Sequence, residues 1–255
     1  MAGNKSWMVY DRLIESIPDD IVVEDCLIGL NWILVQSVGV GIAMTPPEGE
    51  RTVPMAGSIR GMKVRRLAEL SKSWRFMEAA IGLAAINSVC NARDTIEKRF
   101  GPAIWSASKI NVFNLLLPEV AEKKVAVIGH FPGLQQLASK CRLSILERLP
   151  QAGDFPDSAC EYLLPEQDVV LISGTTLVNK TLPRLLALSQ NAYIAVVGPT
   201  TPLHPVLFEC GVSLLAGTVV DDRESVWKQA AEGGTRSIFG RGARMVNIER
   251  KITAP

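Results

Sequence analysis

Five short apolar runs, separated by segments of helical character, dominate the second half of this chain. They are Lys124–Ile128, Leu143–Leu146, Val169–Ile172, Tyr193–Val197 and Val212–Val219, and several are rich in β-branched residues. Between them lie Leu134–Lys140, Leu177–Leu188, Leu203–Glu209 and Arg223–Ala231. A parallel sheet with helices on both faces needs strands that are apolar throughout rather than alternating. Strands and helices that alternate along the chain are the pattern of βαβ units. This half is therefore expected to be a Rossmann-like α/β domain, with Arg244–Ile248 as an added edge strand.

The first half has a different rhythm. Trp7–Ile17 has the spacing of an amphipathic helix stopped by Pro18. Strand-like segments follow at Ile21–Ile28, Trp32–Ser37 and Gly39–Ala43, and their short connections favour antiparallel pairing. The run from Cys26 to Met44 carries no charge and is nearly long enough to span a bilayer. However, Gly39 and Gly41 alternate with Val38, Val40 and Ile42, a period of two that indicates strands. Residues 45–61 are rich in Pro and Gly and form a long loop, a feature that usually has a task such as covering a site. Helices are expected over Val64–Ser71 and Arg75–Val89, the second apolar on nearly every side and so buried. Strands followed by helices make residues 1–106 an α+β domain, with the Rossmann-like domain over 107–255.

Composition narrows the function classes. The chain has 255 residues, a net charge of +1 and dispersed basic residues, so no nucleic-acid groove is expected. The five cysteines, Cys26, Cys90, Cys141, Cys160 and Cys210, are odd in number and include no CxxC spacing. That argues against a disulfide framework or a zinc ribbon and for reduced thiols in the cytoplasm. Residues 1–6 show no signal core, and Ala2 stands where myristoylation requires glycine, so no membrane association is expected.

Chemistry is expected at the carboxyl ends of the parallel strands. Three of them run into loops of one character: Gly129-His130-Phe131-Pro132-Gly133, Ser173-Gly174-Thr175-Thr176 and Gly198-Pro199-Thr200-Thr201-Pro202. Open α/β sheets bind ligands at that edge, near the switch point of the strand order. Glycine admits a close backbone approach, while Ser and Thr supply hydroxyls and helix caps. The bland alternative is ordinary βα capping, but three such loops on one edge point to a ligand.

Two phosphate motifs fail. In the first turn Phe131 stands where the second glycine of a dinucleotide fingerprint must admit the pyrophosphate, which argues against a standard NAD site. In Gly174-Thr175-Thr176-Leu177-Val178-Asn179-Lys180-Thr181, Asn179 replaces the second glycine of a P-loop, and Lys180 reads as a helix-surface lysine. His130 is one of two histidines, and Glu147 ends the neighbouring strand. The pair could do acid–base work or begin a metal site, or His130 could cap a turn. His204 and Cys210 are spaced too poorly to chelate. Asn87 and Asn91, one turn apart on a shared face, could reach a ligand from the first half, although buried helix–helix hydrogen bonding is the competing role. Glu78 is a lone acid on an apolar helix.

Several strings in combination resemble a known family. They are Ile81-Gly82-Leu83-Ala84-Ala85-Ile86-Asn87, Lys124-Val125-Ala126-Val127-Ile128-Gly129-His130-Phe131-Pro132, Leu163-Leu164-Pro165 followed by Asp168-Val169-Val170, Ser173-Gly174-Thr175-Thr176-Leu177-Val178-Asn179, and Gly198-Pro199-Thr200-Thr201-Pro202. Together they resemble the bacterial and archaeal proteins labelled "putative heavy-metal chelation", a family of unknown function. The resemblance implies an N-terminal domain like that of enolase, a Rossmann-like domain after it, and a site in the cleft between them.

The expected function is binding of a small molecule, an anionic or metal-chelating ligand, in that cleft, with catalysis undecided. His130 and Glu147 are the acid–base candidates. Asn87, Gly129, Ser173, Gly174, Thr175, Thr176, Asn179, Gly198, Thr200 and Thr201 are the ligand-binding candidates. A metal ion is a cofactor to test for; heavy-metal or metal-chelate binding and a non-catalytic scaffold, a homo-oligomer, are the alternatives.

Overall fold

A computed structural model describes residues 5–107 and 111–250. The chain opens with α1 (Met8–Glu15) and a three-stranded antiparallel sheet of β1 (Asp25–Ile28), β2 (Trp32–Gln36) and β3 (Val40–Met44). The uncharged Cys26–Met44 run is thus mostly strand, and no described helix is long and apolar enough to cross a membrane. Strand β1 is shorter than the expected Ile21–Ile28, because residues before Asp25 pair elsewhere: Val22 bridges to Lys63 at the end of the long loop.

Helices α2 (Val64–Ala68), α3 (Phe76–Cys90), α4 (Arg93–Phe100) and α5 (Ile104–Ala107) complete the first half. As its all-round apolarity implies, α3 is buried along its length, with only Phe76 and Glu78 partly exposed. Glu78 accepts the Ser73 hydroxyl at 2.6 Å beside Arg75 at the helix start. Two glycines let this helix sit against backbone. A Cβ on Gly41 of β3 would lie 2.0 Å from the Ala84 carbonyl oxygen, and one on Gly82 would lie 2.1 Å from the Ser71 nitrogen.

The second half begins with α6 (Val112–Val120), β4 (Lys124–Ile128), α7 (Leu134–Ala138), β5 (Arg142–Glu147), the two-residue β6 (Phe155–Pro156) and α8 (Cys160–Leu163). It continues through β7 (Val169–Ser173), α9 (Leu182–Leu188), β8 (Tyr193–Val197), α10 (Pro205–Glu209), β9 (Leu214–Val220), α11 (Arg223–Ala231) and β10 (Ala243–Glu249). These strands form one seven-stranded sheet, ordered β6-β5-β4-β7-β8-β9-β10 and parallel except for the β10 edge. The order runs outward from β4 to β5 and β6, then restarts on the other side of β4 with β7. The switch point therefore lies between the carboxyl ends of β4 and β7.

The expected helix over Leu177–Leu188 is broken. A 3₁₀ turn covers Gly174–Leu177, Lys180 takes a left-handed φ of 68°, and α9 starts only at Leu182. Lys180 is therefore not a helix-surface lysine. It is half-buried, donates to the Val178 carbonyl at 2.6 Å and faces the Tyr10 ring. Burial pushes its ammonium pKa down to about 8, and among the described residues no carboxylate is paired with it.

The halves share one core. Tyr10, Leu13, Ile33 and Ile86 join Val170, Ile172, Val196 and Leu215 of the large sheet in a continuous apolar cluster. Helices α6 and α7 cover the sheet's other face through Phe113, Leu116, Val120, Leu134 and Leu137. The outer face of the small sheet, with Trp32, Leu34 and Ile42, is covered by Val226 and Ala230 of α11.

Candidate functional site

A cleft opens at the switch point, on the side of the sheet that faces the first half. One lobe, of about 340 Å³, is walled by Ile128, Gly129, Leu146 and Glu147 at the ends of β4 and β5. Ser173, Thr175, Thr176 and Asn179 wall it after β7, Cys160 and Glu161 from α8, and Arg184, Leu185 and Leu188 from α9. The second lobe, of about 290 Å³, lies between the halves. Met44, Thr45, Pro46, Pro47, Glu48 and Phe76 face His130, Leu149, Gln151 and Val178 across it. Glu147, Arg148, Thr175 and Asn179 border both lobes. The first residues of the long loop thus wall the cleft, and Glu48 is held there by Arg148 at 3.0 Å.

His130 follows β4 through Gly129, whose φ of 104° suits a residue without Cβ. The expected His130–Glu147 side-chain pair does not form. The Glu147 carboxylate instead accepts two backbone N–H groups, His130 at 3.1 Å and Arg148 at 2.8 Å. The imidazole is paired with Asp154, Nε2 lying 2.6 Å from Oδ2. Asp154 also accepts the Gln151 N–H at 2.8 Å, and its side chain is only 5% exposed. That backbone bond, then the His130 contact, holds the Asp154 carboxyl below the usual range. An ionised carboxylate only accepts, so Nε2 is the donor. Such a pair orients an imidazole for acid–base work. Asp154 lies in a loop beyond β5, and a lone Asp in the loop Gln151-Ala152-Gly153-Asp154 carried no spacing signal in the sequence.

Of the expected ligand-binding residues, Gly129, Ser173, Thr175, Thr176 and Asn179 line the cleft together with His130 and Glu147. Their local bonds are those of a capped turn. The Ser173 hydroxyl lies 2.8 Å from the Thr175 hydroxyl, the Thr176 hydroxyl donates to the Ser173 carbonyl, and Asn179 Oδ1 accepts from Thr181. The remaining candidates are elsewhere. Asn87 is fully buried and donates to the Ile42 and Thr200 carbonyls. The Thr200 hydroxyl accepts the Met44 N–H, Thr201 is fully buried, and Gly174 packs so tightly on Thr201 that a Cβ would lie 2.5 Å from its hydroxyl oxygen. Together with Asn91, which bonds to Thr201, Leu203 and Thr218, these residues stitch the halves.

The Phe131 ring lies where the sequence placed an obstruction. It sits on Phe113 and within 3.9 Å of the Cβ positions of both Gly129 and Gly198, beside the first βα turn.

Comparison with known proteins places this architecture. A family model described as "Putative heavy-metal chelation", DUF364, matches residues 111–249, and a second with the same description, DUF4213, matches residues 10–90. The chain belongs to the DUF364 family. An uncharacterized protein of Methanocaldococcus jannaschii is 30% identical over 228 residues, 83% of each chain. A DUF364 protein of Desulfitobacterium hafniense, its function unknown, is 38% identical with a TM-score of 0.89, over 96% of this chain and 99% of that one. A DUF364 protein of Pyrococcus horikoshii, also of unknown function, is 25% identical with a TM-score of 0.77 over the same shares.

The family description names heavy metals. Among the described residues no group of three His, Cys, Asp or Glu side chains could hold an ion.

Proposed function

We propose that this protein binds a small organic ligand in the cleft at the switch point, where the His130–Asp154 pair orients it or exchanges a proton with it. The observation that carries the reading is one cleft walled by both halves, with a carboxylate-held imidazole at the ligand edge of the sheet. The cleft walls carry four carboxylates, Glu48, Glu147, Asp157 and Glu161, against the guanidiniums of Arg148 and Arg184. Each guanidinium already pairs with one of the glutamates. That balance speaks against a highly charged anion and for a neutral or weakly charged organic group.

A thermal-shift screen with organic acids, nucleosides, nucleotides and phosphate tests the reading. A ligand at a hundred times its Kd adds about 2.7 kcal/mol to stability, a shift of several degrees. The shift is expected to fall in Thr175→Val and His130→Ala. If no compound shifts the wild type, or the variants respond as it does, the reading fails.

The acid surplus and the family description favour a second reading, recognition of a metal already held by an organic chelator. The chelator would then supply the ligands that these side chains do not. Elemental analysis after gel filtration separates the two. This reading expects metal retained after incubation with a metal–citrate complex and none after incubation with the metal alone.

A further inference from the structure

We infer that the lobe between β4, β5 and α9 is shaped for a nucleoside: a ribose and its base, with no phosphate at the first βα turn. The inference rests on the cleft reading above and names its ligand class.

Three features support it. The first is Glu147. It ends β5, the strand reached after the first crossover, and in doubly wound sheets of this order an acid at that place hydrogen-bonds the ribose hydroxyls. Its two oxygens are held by the backbone N–H groups of His130 and Arg148. Each carboxylate oxygen offers two acceptor sites, so each can accept one hydroxyl of a cis-diol as well. The two backbone bonds fix the carboxylate before any ligand arrives, which lowers the ordering cost of binding.

The second feature is the absence of space and charge for a phosphate. The Phe131 ring lies against Gly129 and Gly198, in the groove that a pyrophosphate occupies in dinucleotide-binding sheets. The wall has more carboxylates than guanidiniums, and Arg148 and Arg184 are already paired.

The third feature is the lobe itself. Ile128 and Leu146 form an apolar floor, and Leu185 and Leu188 of α9 line it too, a setting for a planar base. Asp157, Ser158 and the Glu161–Arg184 pair lie along it as donors and acceptors for the edge of a base. Glu147, Arg148, Thr175 and Asn179 also line the lobe that holds His130, so a substituent on the sugar directed past them would face the acid–base pair.

Isothermal titration calorimetry with adenosine, guanosine and uridine, each against its own 2′-deoxy analogue and 5′-monophosphate, tests the inference. At least one ribonucleoside is expected to bind. Loss of one diol hydroxyl should weaken binding about tenfold or more, as a site built around a hydroxyl rejects the analogue lacking it. The 5′-monophosphate should bind no more tightly than its nucleoside, and Glu147→Gln should lose affinity with its melting temperature checked beside it. The deoxy comparison uses the unaltered protein, so a folding defect in the variant cannot mask the answer. Equal binding of the ribonucleoside and its 2′-deoxy analogue overturns the inference, as does tighter binding of the 5′-monophosphate. If no nucleoside binds but another compound gives a shift that Thr175→Val removes, the nucleoside falls and the cleft stands. If nothing binds, both fall.

Discussion

Asn91→Ala should cost far more than its small size suggests. Asn91 is 1% exposed at the end of α3. Its amide donates to the Thr201 carbonyl at 3.0 Å and the Thr218 carbonyl at 3.1 Å, and its oxygen accepts the Leu203 N–H at 2.8 Å. Alanine would leave two carbonyls and one N–H buried without partners. Each such group costs about 1–3 kcal/mol, so the loss should be roughly 3–9 kcal/mol before relaxation. For a chain of this size that is a fall of about 10 °C or more in Tm. The exposed cap Asn111, which accepts the Phe113 N–H at the start of α6, is the control. Asn111→Ala should cost only about 1 kcal/mol. Urea unfolding followed by tryptophan fluorescence and far-ultraviolet dichroism would measure both variants. Because one core runs through both halves, the wild type should unfold in a single transition by both probes. A loss for Asn91→Ala no larger than for Asn111→Ala would refute the claim that these amides join the halves.

Three further outcomes are expected. Burial, followed by the nearby charges of Arg99 and Arg12, lowers the His204 pKa from 6.5 to about 4. The unfolded chain therefore takes up that proton first, and stability should decline as pH falls from about 6.5 to about 4, by roughly 2–3 kcal/mol. His204→Gln should flatten that part of the pH profile in urea melts. Gly41→Ala should destabilise severely, because the new Cβ would lie 2.0 Å from Ala84 O and 2.2 Å from Ser88 N, both backbone. Gly49→Ala, at a positive φ but in open space, should cost less in the same melts. Asp154→Ala should weaken the best cleft ligand about as much as His130→Ala, and the double variant should be little worse than either. Additive losses in that double-mutant cycle would show that the two do not act as a unit.

Much of this architecture was legible in the residues because burial on both faces leaves an unmistakable mark. The apolar runs from Lys124 to Val219 could only be internal parallel strands, and Arg244–Ile248 was recognisable as their edge. The loops were placed correctly on one rim, yet a Gly/Thr loop looks the same whether it faces a ligand or a neighbouring helix. Thus Ser173-Gly174-Thr175-Thr176 faces the cleft in part, while Thr200 and Thr201 are consumed in joining the halves. The partner of His130 was missed for a related reason. Glu147 ends a strand next to β4, but its carboxylate is held by backbone N–H groups, and the long loop after β5 brings Asp154 back to the imidazole. Return contacts of that kind depend on loop path, which local residue patterns do not encode. The break at Lys180 was hidden by a helical-looking composition on both sides of it.

Ligand binding in this cleft is tested most directly by a crystal structure of the protein with the compound that most stabilises it. Electron density is expected between Glu147, Thr175 and Asn179, reaching toward His130. Density confined to any other surface, with this cleft empty, would contradict it.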